Sequence, residues 1–452
     1  MMRTEDLPFS RTDFGEDFIW GTATSAYQIE GAVDQYGRGP SIWDPFVRKK
    51  GKIKDGSNAD MACDFYQRYE EDLRIAKSLG LKHFRFSVSW SRILPSGVGT
   101  VNQEGIDFYN RVIDCCEKLN MEPWLTLYHW DLPLALEQQG GWKNRKIIDW
   151  FSNYTAVCTE AFGNRVKNWI VMNEPMATAG LGYTTGLHAP GRRGLFNFLP
   201  VVHHLALCQA EAGRIVRQSV ADAYIGTALS CSFVEPASQD RKDINAARRA
   251  DAVMNRLFIE PALGMGYPSD VFPYLAQIKR YVMPGDEDRL AFNFDFIGLQ
   301  NYFRVMVQHS YLRPVLWLKE IPATIRQKPV TAMGWEIAPD GMYDILNQFA
   351  AYKNLPEIIV SENGAAFADE LKDGQVEDIA RTNFFKEYLS AILRAKRNGV
   401  NIKGYFIWTL MDNFEWAEGY SARFGIVYVD FASQKRYIKD SGKWFGRLLN
   451  DR

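Results

Sequence analysis

Two glutamates stand where packing alone does not explain a carboxylate. Residues 356–364 read PEIIVSENG, a β-branched run between Pro and Gly with Glu362 at its far end. Residues 166–175 read VKNWIVMNEP and share the design, with Glu174 after Trp169-Ile170-Val171. Such runs predict strands buried on both faces. A charge placed where a buried strand emerges is costly unless it is paired or used. Two carboxyl groups facing each other across a sugar are what glycoside hydrolysis needs: one gives a proton to the leaving oxygen, the other attacks C1 or activates water. In the retaining geometry they stand about 5–5.5 Å apart.

The neighbours suggest which is which. Arg85 lies inside the strand-like stretch KHFRFSVSW and needs a partner; paired with Glu362 it would depress that carboxyl's pKa. Tyr302 is a further candidate donor to Glu362. Glu174 follows an apolar run with less charge compensation, so a raised pKa and the acid role are expected, reinforced by repulsion from ionised Glu362. Asn173 is placed to bond a sugar 2-hydroxyl, a contact that strengthens in an oxocarbenium-like transition state.

Eight strands are needed to carry these groups, near residues 18, 83, 122, 166, 224, 294, 356 and 402. Helical spacing is read at 60–79, 103–119, 146–162, 195–217, 243–263, 341–351, 380–398 and 442–449. The first of these puts Met61, Phe65, Tyr69, Leu73, Ala76 and Leu79 on one side, with Gly80 as its stop. Residues 303–340 read as irregular and include Met333-Gly334-Trp335 in a long loop. Strict alternation predicts an α/β fold: a single (β/α)8 TIM barrel over 1–452 with extended βα loops at its C-terminal face. Gln28 falls just past the first strand and reads equally as a loop-ordering amide or a hydroxyl clamp. His129, beside Trp130 after the third strand, is either a satisfied core histidine or a ligand-binding one.

With 452 residues, 46% hydrophobic and 24% charged, the chain can bury a large core. A formal net charge of −1 gives no broad field for nucleic acid or another polyanion. Six cysteines show no CxxC spacing and read as buried free thiols in a reducing compartment. The N-terminal stretch has no apolar leader and no apolar run approaches the ~18 residues of a membrane span, so a cytoplasmic, membrane-free protein is expected. The segment PVLWL at 314–318 is a loop wall or a contact in a homo-oligomer. Metal chemistry lacks its usual spacing: there is no HExxH, and His203 and His204, adjacent on a helix, diverge. Neither GxSxG, GxxxxGK[ST] nor a GxGxxG after a strand occurs, so serine-hydrolase and nucleotide readings lose their support.

Taken in order, FIWGTATSAYQIEGA, FRFSVSWSRILP, LTLYHWDLP, NEP, MGWEI, SENG and DNFEWAEGYSARFGIVYVD make the chain resemble β-glycosidases of glycoside hydrolase family 1, essentially end to end. The resemblance implies a retaining β-glucosidase acting on small β-glycosides, with no metal or organic cofactor. It implies Glu174 as acid/base and Glu362 as nucleophile, with Arg85 and Tyr302 as the nucleophile's partners. It further implies substrate contacts from Gln28, His129, Trp130, Asn173, Glu415 and Trp416, a floor at Trp408 and an aromatic wall at Trp335. An anionic Glu415 in the stretch 413–418 is expected to repel a 6-phosphate. The chain departs from the family pattern at Met176, where Trp is usual, and at Ser361, where Thr is. It also has Leu299-Gln300-Asn301 in place of Leu-Asn-Tyr, which leaves a nucleophile contact from Asn301 open. Transglycosylation by the same covalent intermediate needs no new residues. A non-catalytic carbohydrate-binding barrel is the alternative from another class.

Overall fold

The computed structural model describes residues 9–313 and 315–450. Residues 1–8, on which part of the no-leader expectation rests, and Pro314 of the PVLWL segment lie outside the described residues. The eight expected strands are present: β1 (Ile19–Ala23), β2 (His83–Ser87), β3 (Glu122–Thr126), β4 (Asn168–Asn173), β5 (Tyr224–Ser230), β6 (Phe296–Gln300), β7 (Glu357–Asn363) and β8 (Ile402–Trp408). They pair in parallel and close into a barrel, β8 against β1 through Ile19–Gly404 to Ala23–Trp408. The chain therefore adopts the (β/α)8 barrel expected of it.

Alternation along the strands fills the barrel interior. Trp124, Ile170, Ala228, Phe296, Ile359 and Phe406 point inward as one apolar cluster, with Trp124 centred 5.4 Å from Phe296 and 4.9 Å from Phe406. Two glycines make room: a Cβ on Gly21 would collide with the Phe406 ring, and one on Gly226 with the Phe296 ring. The outer faces of the strands pack on the surrounding helices, whose buried residues form the much larger outer core.

Several element boundaries differ from the expectations. The first helix begins at Phe65, not residue 60, because Asp64 holds a left-handed conformation at φ 53°. Met61 is consequently off the helix and 59% exposed, outside the apolar stripe assigned to it. Gly80 ends that helix at φ 77°, as expected. The helix expected at 195–217 starts as a 3-10 turn, Leu195–Asn197, and runs as Phe198–Ser219. The helix expected at 243–263 is broken into Arg241–Asp251, a wide π turn Ala252–Arg256 and Leu257–Ala262.

The stretch read as irregular contains two short strands, Val305–His309 and Leu318–Glu320, which with Val234–Pro236 form a small separate sheet. Trp317, at its rim, is 41% exposed. All six cysteines are buried and free. Among the described residues no helix is long and apolar enough to cross a membrane.

Candidate active site

Both glutamates stand at irregularities of the sheet. The register slips between Ile170 and Asn173 where β4 meets β5, and between Val360 and Glu362 where β7 meets β6. Such slips re-aim side chains at strand ends. Glu174 also holds φ 43°, a left-handed conformation rare outside glycine, and its N–H is caught by the Ala228 carbonyl at 2.8 Å. Glu362 is 3% exposed and Glu174 7%.

Three donors converge on Glu362. Arg85 Nη1 and Gln300 Nε2 donate to its Oε1, the latter at 2.7 Å, and Tyr302 Oη donates to its Oε2 at 2.6 Å. Arg85 reaches inward from the middle of β2 and is fully buried. It is held in addition by Thr126 Oγ1 at 3.1 Å and the Ser361 carbonyl at 3.2 Å, and it donates to Asn173 Oδ1 at 2.5 Å. The expected pairing of Arg85 with Glu362 is thus present and acts to lower that carboxyl's pKa, but the net shift is upward. Burial pushes the Glu362 pKa up; Arg85, Tyr302 and Gln300 oppose the rise without reversing it. At Glu174 burial and the charge of Glu362 outweigh the Ser230 hydroxyl and the Arg85 charge, and the pKa is pushed up to about 8.

The remaining candidate residues ring these two. Asn173 Nδ2 meets His129 Nε2 at 3.0 Å, and burial and the Arg85 charge keep His129 neutral. The His129 ring lies 5.9 Å from both Trp408 and Trp416, nearly parallel to each. Trp408 ends β8. Trp416 holds φ 47° and is centred 4.6 Å from Trp43 and 4.8 Å from Trp130. The Trp130 N–H is taken by the Asn173 carbonyl at 3.1 Å, so Trp130 buttresses Asn173 and Trp416 and has no free donor to offer a ligand. Trp335 stands 5.5 Å from Tyr302 and 5.1 Å from Phe303 in the loop before residue 340.

The contacts of Gln28 are those of its loop-ordering reading. Its Oε1 accepts from Ser25 Oγ at 2.6 Å, while its Nε2 faces Asn413 Oδ1, the Phe414 carbonyl and Glu415 Oε2 at 3.0–3.2 Å. It orders the loop after β8 and fixes Glu415 at once. The expected anionic Glu415 is corrected: burial and the charge of Glu362 push its pKa up to about 8, which favours its protonated form at neutral pH.

That loop is anchored from behind by a cluster of buried charges. Lys439 Nζ bridges Asp369 and Asp412 at 2.5 and 2.7 Å, Arg381 joins Asp369 to Asp378, and Arg423 closes on Asp412 at 2.6 Å.

One contact went unread in the sequence. Gln300, not Asn301, touches Glu362; Asn301 turns away to the carbonyls of Cys231 and Phe303 at 2.9 and 3.0 Å. Strand alternation held the signal, because Phe296, Gly298 and Gln300 share the inward face of β6. His203 and His204 are far from this chemistry in role: His203 bonds Tyr267 and Asp286, and His204 the Trp142 carbonyl.

Two buried carboxyl groups among aromatic rings at the C-terminal ends of the strands of a closed (β/α)8 barrel fit the class of a barrel glycoside hydrolase. Comparison with known proteins narrows the class. The model of glycosyl hydrolase family 1 matches residues 10–452. Beta-glucosidase A of Thermotoga maritima is 44% identical over 440 residues, covering 97% of this chain and 98% of that one. The 1,4-beta-D-glucan glucohydrolase of Thermotoga neapolitana is 43% identical with the same coverage. The solved structure of the family 1 b-glucosidase from Thermotoga maritima superposes with a TM-score of 0.92 over 96% of this chain and 97% of that one, at 44% identity. The chain belongs to glycosyl hydrolase family 1.

Proposed function

We propose that this glycoside hydrolase is a retaining β-glucosidase that removes terminal β-D-glucosyl residues, and with them β-galactosyl or β-fucosyl residues, from small glycosides. The observation that carries the reading is the unequal treatment of two buried carboxyl groups. Glu362 receives three donors, one of them a guanidinium, and each favours its ionised form; Glu174 receives no comparable compensation and its pKa is pushed up to about 8. In the first step Glu362 attacks C1 while Glu174 protonates the leaving oxygen. In the second Glu174, now ionised, takes a proton from water, which attacks C1 and releases Glu362.

In this reading Asn173 bonds the 2-hydroxyl, Gln28, His129, Glu415 and Trp416 hold the remaining hydroxyls, and Trp408 lies under the ring. Trp335 walls the leaving group. Trp130 contributes through the residues it supports. A protonated Glu415 both donates and accepts, which suits a pair of neighbouring hydroxyls. With its charge neutralised, the case for an unphosphorylated sugar rests on residues 413–418, NFEWAE, which hold no cation for a phosphate. The buried free thiols support a reducing, cytoplasmic setting.

Incubation with a 2-deoxy-2-fluoro-β-glucoside followed by peptide mass spectrometry tests the mechanism. Label on Glu362 is expected. Label on another residue, or turnover of glucosides with inversion at C1, overturns it.

A further inference from the structure

We propose that Gln300 is a positioning residue that ties the nucleophile Glu362 to the 2-hydroxyl reader Asn173, so that a single side-chain amide sets both. The inference rests on the roles of Glu362 and Asn173 proposed above.

The orientation of the amide follows from its neighbours. Its two contacts, Asn173 Oδ1 and Glu362 Oε1, are both acceptors at 2.7 Å, so the NH2 end must face them and each hydrogen has one partner. Asn173 is oriented independently. Arg85 donates to the same Oδ1, which turns Nδ2 towards His129 and leaves its second hydrogen for a ligand. The Gln300 side-chain amide oxygen, Oε1, is buried and has no partner among the described residues. A buried unpartnered carbonyl is costly, so what the site uses is the pair of N–H groups.

Position in the sheet explains why this residue and not its neighbour does the tying. Gln300 ends β6 in register with Glu362 on one side and Ser230 on the other. It therefore stands between the strand of the nucleophile and the strand adjoining β4, which carries Asn173. An Asn at the same place is shorter by one carbon–carbon bond, about 1.5 Å, and loses at least one of the two contacts.

Two effects follow that a packing role would not produce. Without the Gln300 donor the Glu362 carboxylate has one donor fewer, so its proton is held to higher pH. Without the Gln300 bond to Oδ1, Asn173 is held by Arg85 and His129 alone, and its grip on the 2-hydroxyl slackens.

The experiment compares wild type with Gln300→Leu and Gln300→Asn, using 4-nitrophenyl β-glucoside and its 2-deoxy analogue across pH. In Gln300→Leu the acid limb of kcat/KM is expected to move up by about half a pH unit or more. The preference for the 2-hydroxy substrate is expected to fall about tenfold, and Gln300→Asn to lie between the two proteins. Should Gln300→Leu fail to fold, as read by its melting temperature, Gln300→Asn alone carries both readouts in the same direction. An unchanged acid limb and unchanged 2-hydroxyl preference in a folded variant overturn the role of Gln300 and leave the β-glucosidase reading intact. Failure of the wild type to turn over either glucoside overturns that reading and this inference with it.

Discussion

At Glu174 burial and the charge of Glu362 push in one direction, whereas at Glu362 burial is opposed by a guanidinium, a phenol and an amide. The pH dependence of the enzyme follows from that difference. As the proposed acid, Glu174 needs its proton for the first step, so kcat/KM is expected to fall as pH rises through about 8. Because Glu362 contributes to that value by repulsion, Glu362→Gln is expected to lower the Glu174 pKa, read by carboxyl carbon NMR. A Glu174 titration that stays in place would mean that the two groups do not share a pocket. Glu174→Ala should cut kcat/KM for glucosides with poor leaving groups by about 10²–10⁴-fold and largely spare kcat/KM for 2,4-dinitrophenyl glucoside, whose departure needs no proton, while the second step slows for both. Equal losses on both substrates would remove the acid role.

The strands carry the site through their ends, and their ends leave little tolerance. Gly364, just past β7, faces the backbone of Trp408 at the end of β8 so closely that a Cβ would collide with the Trp408 carbonyl. Gly364→Ala is therefore expected to displace the floor of the pocket and raise KM for glucosides severalfold or more; an unchanged KM would show that the two strand ends yield freely. The loop after β8 depends on the buried charges behind it. Lys439→Met leaves Asp369 and Asp412 with one cation fewer in a dry setting, a loss of about 3–5 kcal/mol in denaturant unfolding. The eight strands were legible because each is a short β-branched or aromatic run between breakers. The small sheet at 305–320 was not, since strands of three to five residues outside the barrel carry too little pattern to stand out. The charge cluster was equally hidden. Its members, Asp369, Asp378, Arg381, Asp412, Arg423 and Lys439, come from several segments, and only the closed fold brings them together. Gln300 is legible through alternation, which puts it on the inward face of β6 and turns the neighbouring Asn301 away.

Across the whole molecule, several carboxyl groups are buried with raised pKa values, and they make stability depend on pH in the opposite sense to an ordinary ion pair. Asp131 is the clearest. It is 1% exposed, and burial pushes its pKa up to about 7. The charges that act on it are Arg38, which eases the ionised form, and Glu30, which opposes it, with the Ser89 hydroxyl also favouring ionisation. Between its unfolded value and about 7 the native state binds the extra proton, so stability falls as pH rises through that window. Asp131→Asn removes the titration. Relative to wild type the variant is expected to gain up to about 1.4 kcal/mol per pH unit across the window and to level off above it, measured by urea unfolding from pH 5 to 8. Parallel curves for the two proteins would place the pH dependence elsewhere. The Trp416 indole, centred less than 5 Å from both Trp43 and Trp130, has a consequence of another kind. Rings this close exchange excitation, so the pocket carries its own optical reporter. A ligand seated against Trp416 changes the polarity over the whole group, and occupancy can be followed by emission and near-ultraviolet dichroism with unlabelled sugars that the enzyme never turns over.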